Sequence, residues 1–172
     1  MTKNQESSIS NSSDVGCGCL LLIICIGVAH AFVWPMFLFS TSIRNEREAR
    51  EYVSSINKGQ QAYFAEKSVF STSVNALGLG IKTETANYKY SVITTKEAAF
   101  NYVISKKPGL KNYVGGVFVI PAKKNQQNAA KNEIKTISIW CETNNRGIIK
   151  PAEPIYQKGK IACGEGTINL MK

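Results

Sequence analysis

Apolar and polar positions divide the 172-residue chain into one unbroken apolar run, one amphipathic stretch and a series of short alternating segments. The run from Cys17 to Phe39 holds 23 residues without Asp, Glu, Lys or Arg. A helix rising 1.5 Å per residue covers about 35 Å over that length, and a bilayer core is roughly 30 Å thick. Residues 17–39 are therefore expected as a transmembrane helix, after a short polar segment 1–16. With no second run of comparable length, a single-pass membrane protein is expected, with the lipid bilayer as a partner. Residues 40–172 then form one soluble domain on one side of the membrane, a length suited to a single core.

The helix is expected to continue past the membrane to about Lys67. Ala49, Val53, Ile56 and Tyr63, with Tyr52 and Phe64 alongside, recur at three-and-four spacing and draw one apolar stripe that needs a partner surface. After the turn-rich Asn75-Ala-Leu-Gly-Leu-Gly80 the period changes to two. Tyr88, Tyr90 and Val92 alternate with Lys89 and Ser91, and Phe100, Tyr102 and Ile104 alternate with Asn101 and Ser105, as half-buried strands do. Val114–Pro121 and Ile134–Cys141 are further strands, separated by a polar stretch 123–133 of hairpin-tip composition. Cys141 is expected to end the last regular strand, leaving an irregular Pro- and Gly-containing tail. The fold class is α+β, a long helix packed on an antiparallel sheet. Gly115-Gly116 inside a strand marks a bulge or a close approach to the helix.

Charge and cysteine usage sharpen this picture. Residues 40–172 carry 20 Lys and Arg against 10 Glu, a balance that favours an anionic partner such as lipid headgroups, polysaccharide or DNA. The lysines are scattered, however, and the densest groups, Lys106-Lys107 with Lys111 and Lys123-Lys124 with Lys131, fall in loops. No basic helix or aromatic-plus-basic motif specifies nucleic acid. Cys17, Cys19 and Cys25 sit in the apolar run, where a thiol behaves as a small hydrophobe. Cys141 and Cys163 read as a disulfide, worth roughly 3 kcal/mol in the chain-entropy model and at home in an oxidising compartment; two unpaired buried thiols are the alternative. Zinc fits poorly, because the soluble part has no histidine and only two cysteines. It also lacks aspartate and any nucleotide loop, so no catalytic residues, cofactor or metal are expected and the protein reads as a non-enzyme.

The first segment admits other readings. Ala29-His30-Ala31 is similar to a signal-peptidase site, although the charged n-region is poor and the apolar run continues through Phe32, Val33 and Trp34. His30 has no ionisable partner within the run and reads as a tolerated polar residue. Pro35 is expected to bend the helix. Arg44, Arg47 and Arg50 after the run, against Lys3 before it, place the domain in the cytoplasm by the positive-inside rule. The cysteine pair places it outside, and three arginines interleaved with three glutamates also fit a solvated helix surface that pairs internally.

Several stretches together carry a family resemblance. Glu51-Tyr-Val-Ser-Ser-Ile-Asn-Lys-Gly-Gln-Gln-Ala-Tyr63, Leu77-Gly-Leu-Gly-Ile-Lys-Thr-Glu-Thr-Ala-Asn-Tyr-Lys-Tyr90, Ser105-Lys-Lys-Pro-Gly-Leu-Lys-Asn-Tyr-Val-Gly-Gly-Val117, Cys141-Glu, Pro151-Ala-Glu-Pro154 and Ala162-Cys-Gly164 resemble the type IV pilin-like G and H group, which is cyanobacterial and related to secretion pseudopilins. The resemblance implies a membrane-anchored, non-catalytic protein with an extracytoplasmic domain, and other pilin or secretion-system subunits as partners. An envelope binding module for an anionic ligand is the competing expectation. Gly27, eight residues before Pro35, matches the spacing of the glycine and proline in the pilin helix, so both are assigned to the anchor. The resemblance stops at Ser13-Asp-Val-Gly-Cys-Gly18. There the family's processing site, a Gly followed by Phe-Thr-Leu-Ile-Glu, has no counterpart, and Gly18 stands where its early glutamate belongs. In the family that glutamate is thought to pair with a neighbouring subunit's N-terminal amine during assembly, so an unprocessed protein that joins a filament rarely is expected.

Overall fold

The structure, a computed structural model, describes residues 14–120 and 135–171; of the side chains before Thr41, it describes those of Gly27 and Val28. Among these residues one helix, α1 (Asp14–Lys67), is followed by a short 3-10 turn at Asn75–Leu77 and seven strands: β1 (Tyr88–Thr94), β2 (Ala98–Ser105), β3 (Tyr113–Ile120), β4 (Lys135–Thr143), β5 (Ile155–Gln157), β6 (Lys160–Ala162) and β7 (Thr167–Asn169). Two compact units are present, one ending at Thr41 and one beginning at Ser42. In the first unit α1 runs through Gly27 and Pro35. Among the described residues no helix is long and apolar enough to cross a membrane. The side chains of the expected anchor, apart from Gly27 and Val28, lie outside them.

In the second unit, the end of α1 packs on an antiparallel sheet of order β1-β2-β3-β4-β7. The register brings Tyr90 opposite Val103, Asn101 opposite Gly115 and Gly115 opposite Trp140. Because side chains alternate across a strand, this register sets two faces. On the helix face Ala49, Val53 and Ile56 pack with Tyr88, Tyr90, Val103 and Tyr113, and Phe64 packs with Ala99 and Val117. On the opposite face Tyr102, Val114, Phe118, Ile139 and Cys141 lie under Tyr156, Ile161 and Cys163 of the C-terminal segment. Apolar alternation in β2 and β3 thus serves two cores. Both strands are almost wholly buried.

The stripe expected on α1 is present but is more polar than the sequence pattern suggests. Ala49, Val53, Ile56 and Phe64 are buried, Tyr63 is only partly so, and Asn57 and Gln60 complete the buried face. These two amides are anchored. The Asn57 side-chain N–H donates to the Ile139 carbonyl at 2.8 Å, and its oxygen accepts from Asn101 Nδ2 at 2.8 Å. Gln60 brackets the Ser71 backbone, donating to its carbonyl at 2.7 Å and accepting from its N–H at 2.9 Å. Gln61 donates to Thr136 at the edge of the same face. Gly115 is the condition for this arrangement. A Cβ there would lie 2.7 Å from Asn57 Cγ and closer still to its oxygen, so the expected close approach is correct. The register of β3 runs unbroken through Gly115 and Gly116, so there is no bulge.

The C-terminal segment is more regular than expected. β4 continues through Cys141 to Thr143, β5 and β6 form a hairpin, and β7 adds a fifth strand to the sheet by pairing Cys141 with Asn169 and Thr143 with Thr167. Three-residue strands among prolines and glycines give too few alternations for a period to register. Their placement comes instead from tertiary pairing and from the Cys141–Cys163 disulfide, whose Cα atoms are 5.8 Å apart. The polar stretch 123–133, expected as a hairpin tip, lies outside the described residues.

Tyr88, Tyr90 and Tyr113 stack in the helix-side core with ring centroids 6.4–6.5 Å apart along the series. The Tyr88 hydroxyl is buried and has no hydrogen-bond partner among the described residues. Burial pushes its phenol well above the ordinary tyrosine range, and the neighbouring Tyr113 and Glu46 push in the same direction.

Three outcomes are expected. Gly115→Ala should lower stability by about 1–3 kcal/mol through overpacking, and the double variant with Asn57→Ala should lose less in total than the sum of the two separate losses; strict additivity in denaturant melts would contradict the contact. Cys163→Ala should cost about 2–5 kcal/mol, whereas native protein whose Cys141 and Cys163 both react with an alkylating agent would contradict the bond. A raised folded-state tyrosine pKa gives stability that is intact below the unfolded value, about 10, and is lost as pH rises above it, because only the unfolded state then releases the proton. Tyr88→Phe should therefore leave neutral-pH stability little changed and make the alkaline loss shallower; parallel alkaline profiles for the two proteins would rule this out.

Candidate functional site

The second unit brings Glu46, Arg50, Lys111, Glu142 and Arg146 together near its first residues on α1. Glu46 and Arg50 are one helical turn apart and share a face, which the buried Ala49 and Val53 turn toward the sheet. Opposite them are Glu142, near the end of β4, and the loops joining β2 to β3 and β4 to β5. Arg50 donates to one Glu142 oxygen from Nη2 at 2.6 Å and from Nε at 3.1 Å. Lys111 Nζ lies 3.8 Å from the other oxygen and donates to the carbonyls of Thr143 and Asn144 at 2.8 and 2.6 Å. Arg146 pairs with Glu46 and donates to the Gly109 carbonyl at 2.8 Å. Glu46 also accepts the Lys111 backbone N–H at 3.2 Å.

Asn112 locks the two loops together. It accepts the Ser105 N–H at 2.7 Å, donates from its side-chain amide to the Gly147 carbonyl at 2.8 Å, and donates its own N–H to Thr143 Oγ1 at 3.1 Å. The segment that leads into β3 and the segment that leaves β4 are thus fastened to each other and to the helix.

The two sides of each ion pair differ in exposure, and the difference decides what the cluster can do. The Glu46 and Glu142 side chains are each 8% exposed, while those of Arg146 and Arg50 are 46% and 42% exposed. Carboxylates point inward and guanidinium groups outward. Burial pulls the Arg50 pKa down, but Tyr113 and Glu142 more than compensate and leave it raised, so this cation stays charged at any physiological pH. Its guanidinium carbon lies 5.8 Å from the Tyr113 ring centroid. Both buried carboxylates have cationic partners, which suits a fastening and leaves neither of them free for general acid–base work. Among the described residues no cluster of His, Cys, Asp and Glu could hold a metal ion. A cleft of about 640 Å³ at the far end of α1 is lined by Ser68, Val69, Phe70, Thr94, Thr95 and Lys96. Lys96 is the one ionisable residue among the described residues that line it, and these offer no convergent set of catalytic groups.

The expected internal pairing along Arg44–Arg50 is corrected at two of its residues, Glu46 and Arg50. Arg50 and Glu46 turn away from their helix neighbours and pair across the fold with Glu142 and Arg146. A partly buried tertiary ion pair with hydrogen bonds outweighs a solvated pair along the helix surface, which contributes only a few tenths of a kcal/mol. Sequence reasoning missed Glu142 and Arg146, because a lone Glu after a cysteine and a lone Arg in a polar loop carry no periodic signal. Of the basic groups, Lys111 belongs to this cluster, Lys106 pairs with Glu84 and Lys107 is exposed in the same β2–β3 loop, while Lys123, Lys124 and Lys131 lie outside the described residues. Cys141 and Cys163 are bonded. Gly27 and Pro35 fall within α1, and a Cβ added at Gly27 would meet nothing within 4 Å.

Comparison with curated proteins and with solved structures returns no match. Comparison with protein families matches residues 46–164 to Type IV pilin-like G and H. The span begins at Glu46, the first residue of the ion cluster, takes in β1 to β6, and ends just past Cys163. It covers more than two thirds of the sequence, including both bonded cysteines and the helix face that packs on the sheet: the chain belongs to the Type IV pilin-like G and H family.

Proposed function

We propose that the protein is a non-catalytic, pilin-like surface protein, held in the membrane by residues 17–39 with its folded domain on the extracytoplasmic side, and that it joins a pilus or secretion pseudopilus at most as a minor component. Family membership carries this reading, since pilin-like proteins are structural rather than enzymatic and associate with other pilin subunits. The apolar composition of residues 17–39 supports the anchor. The Cys141–Cys163 bond supports the extracytoplasmic placement, because disulfides persist in oxidising compartments. It outweighs the arginine count after the apolar run, which by the positive-inside rule points the other way.

The restriction to a minor role rests on Gly18. A lone carboxylate in lipid is costly and is relieved by pairing with a neighbouring subunit. With glycine at the corresponding place there is neither the cost in the membrane nor the relief on assembly. Fractionation tests this. Most of the protein should be recovered with membranes, retaining the residues before Cys17 by mass spectrometry of its N-terminus. Recovery chiefly in sheared filaments with a shortened N-terminus would overturn the proposal.

A further inference from the structure

The inward carboxylates and outward cations around Glu46 and Glu142 give this end of the domain a one-sided charge. Arg44 and Arg47 flank Glu46 on α1 and are exposed; Lys107 and Pro108 are exposed at the tip of the β2–β3 loop, and Ile43 is exposed beside Arg44. Arg50 and Arg146 show their guanidinium groups while their carboxylate partners are buried. Lys106 pairs with Glu84, and among the described residues the unburied acids near this end are Glu48, Glu51, Glu84 and Glu165, the last next to Gly166, whose carbonyl accepts the Asn144 N–H. Six cations, Arg44, Arg47, Arg50, Lys106, Lys107 and Arg146, therefore stand outward against these four.

The position of this group along the sequence is as informative as its charge. Arg44 lies five residues after Phe39 and Arg47 eight. Even a fully extended backbone spans at most about 3.6 Å per residue, so Arg44 is within about 18 Å of the end of the apolar run whatever angle the domain takes. The β2–β3 and β4–β5 loops are held to the same part of α1 by the Lys111–Glu46 and Arg146–Glu46 contacts. Their cations cannot drift away from that level.

We propose that this surface is a docking collar for anionic phospholipid headgroups, which hold the domain against the bilayer that anchors it. The proposal rests on the membrane-anchor reading above. Arginine forks match phosphate geometry, and basic residues beside a membrane span are drawn to an anionic leaflet within about a Debye length, an attraction that salt screens. Exposed Ile43 and Pro108 beside the cations suit the apolar side of a headgroup layer. Lys158 and Lys160, on the β5–β6 hairpin that covers the opposite face of the sheet, belong to no such group and serve as internal controls.

The test uses the full-length protein in nanodiscs of phosphatidylcholine alone or mixed with phosphatidylglycerol, with lysine acylation read residue by residue by mass spectrometry. Lys107 should label several-fold more slowly in the anionic discs at low salt and regain its rate at high salt, while Lys158 and Lys160 label equally in both. Arg44→Gln with Arg47→Gln, both exposed positions, should weaken the protection of Lys107 without altering the thermal unfolding midpoint. Equal Lys107 labelling in both kinds of disc, or protection unchanged by the double substitution, would overturn the collar alone. Protein that fails to co-elute with any disc would overturn the anchor reading and the collar together.

Discussion

The helix is held to the sheet at backbone distance, and the rest of the domain depends on that contact. An apolar stripe against an apolar sheet permits many rotations and slides of nearly equal energy, since hydrophobic attraction has no direction. The buried amide of Asn57 permits one. It donates to the Ile139 carbonyl, accepts from Asn101, and fits only because Gly115 presents no side chain. A one-residue slip of β3 that put Val114 in that place would drive a side chain into the amide's position and leave a buried polar group unpaired, a penalty of about 1–3 kcal/mol. Gln60 extends the same logic along the helix by bracketing Ser71, which fixes where the backbone turns back before the sheet begins.

With the helix fixed, the ion cluster fixes the loops. Arg50–Glu142 and Arg146–Glu46 tie the part of α1 that begins the second unit to the segments flanking the β3–β4 pair. On the opposite face the disulfide performs the equivalent task by covalent means, holding the C-terminal hairpin over Val114 and Phe118. The sheet is consequently covered on both sides. That is why β2 and β3 are buried along nearly their whole length and why alternation in them separates two cores rather than core from water.

Those constraints explain what could be read from residues alone. The helix stripe, four of the sheet strands, the cysteine pairing and the close approach at Gly115 are legible because each leaves a local signature: a period of 3.6 or 2, a lone pair of cysteines in a domain without histidine, two glycines inside a strand. Asn57 and Gln60 are illegible as core residues, since polar side chains at helical spacing look like a solvated face until partners from β2, β4 and the loop at Ser71 arrive. Spacing puts Tyr63 in the stripe where the structure buries Phe64, a shift of about 100° around the helix. The pairing of Arg50 with Glu142 joins residues 92 positions apart, and no short window along the sequence contains both. Short β5, β6 and β7 exist through tertiary pairing and leave no period to find.

A disulfide-bonded, pilin-like domain outside the cytoplasm is the central functional claim, and it is a claim about compartment. The most direct measurement is the redox state of Cys141 and Cys163 in the living cell. Thiols are trapped at the moment of harvest with a bulky maleimide, and the modification at each cysteine is read by mass spectrometry. Both residues are expected to be unmodified before reduction and modified after it in nearly all of the protein. Cys141 and Cys163 trapped as free thiols in most of the molecules, in cells with an intact envelope, would contradict that placement.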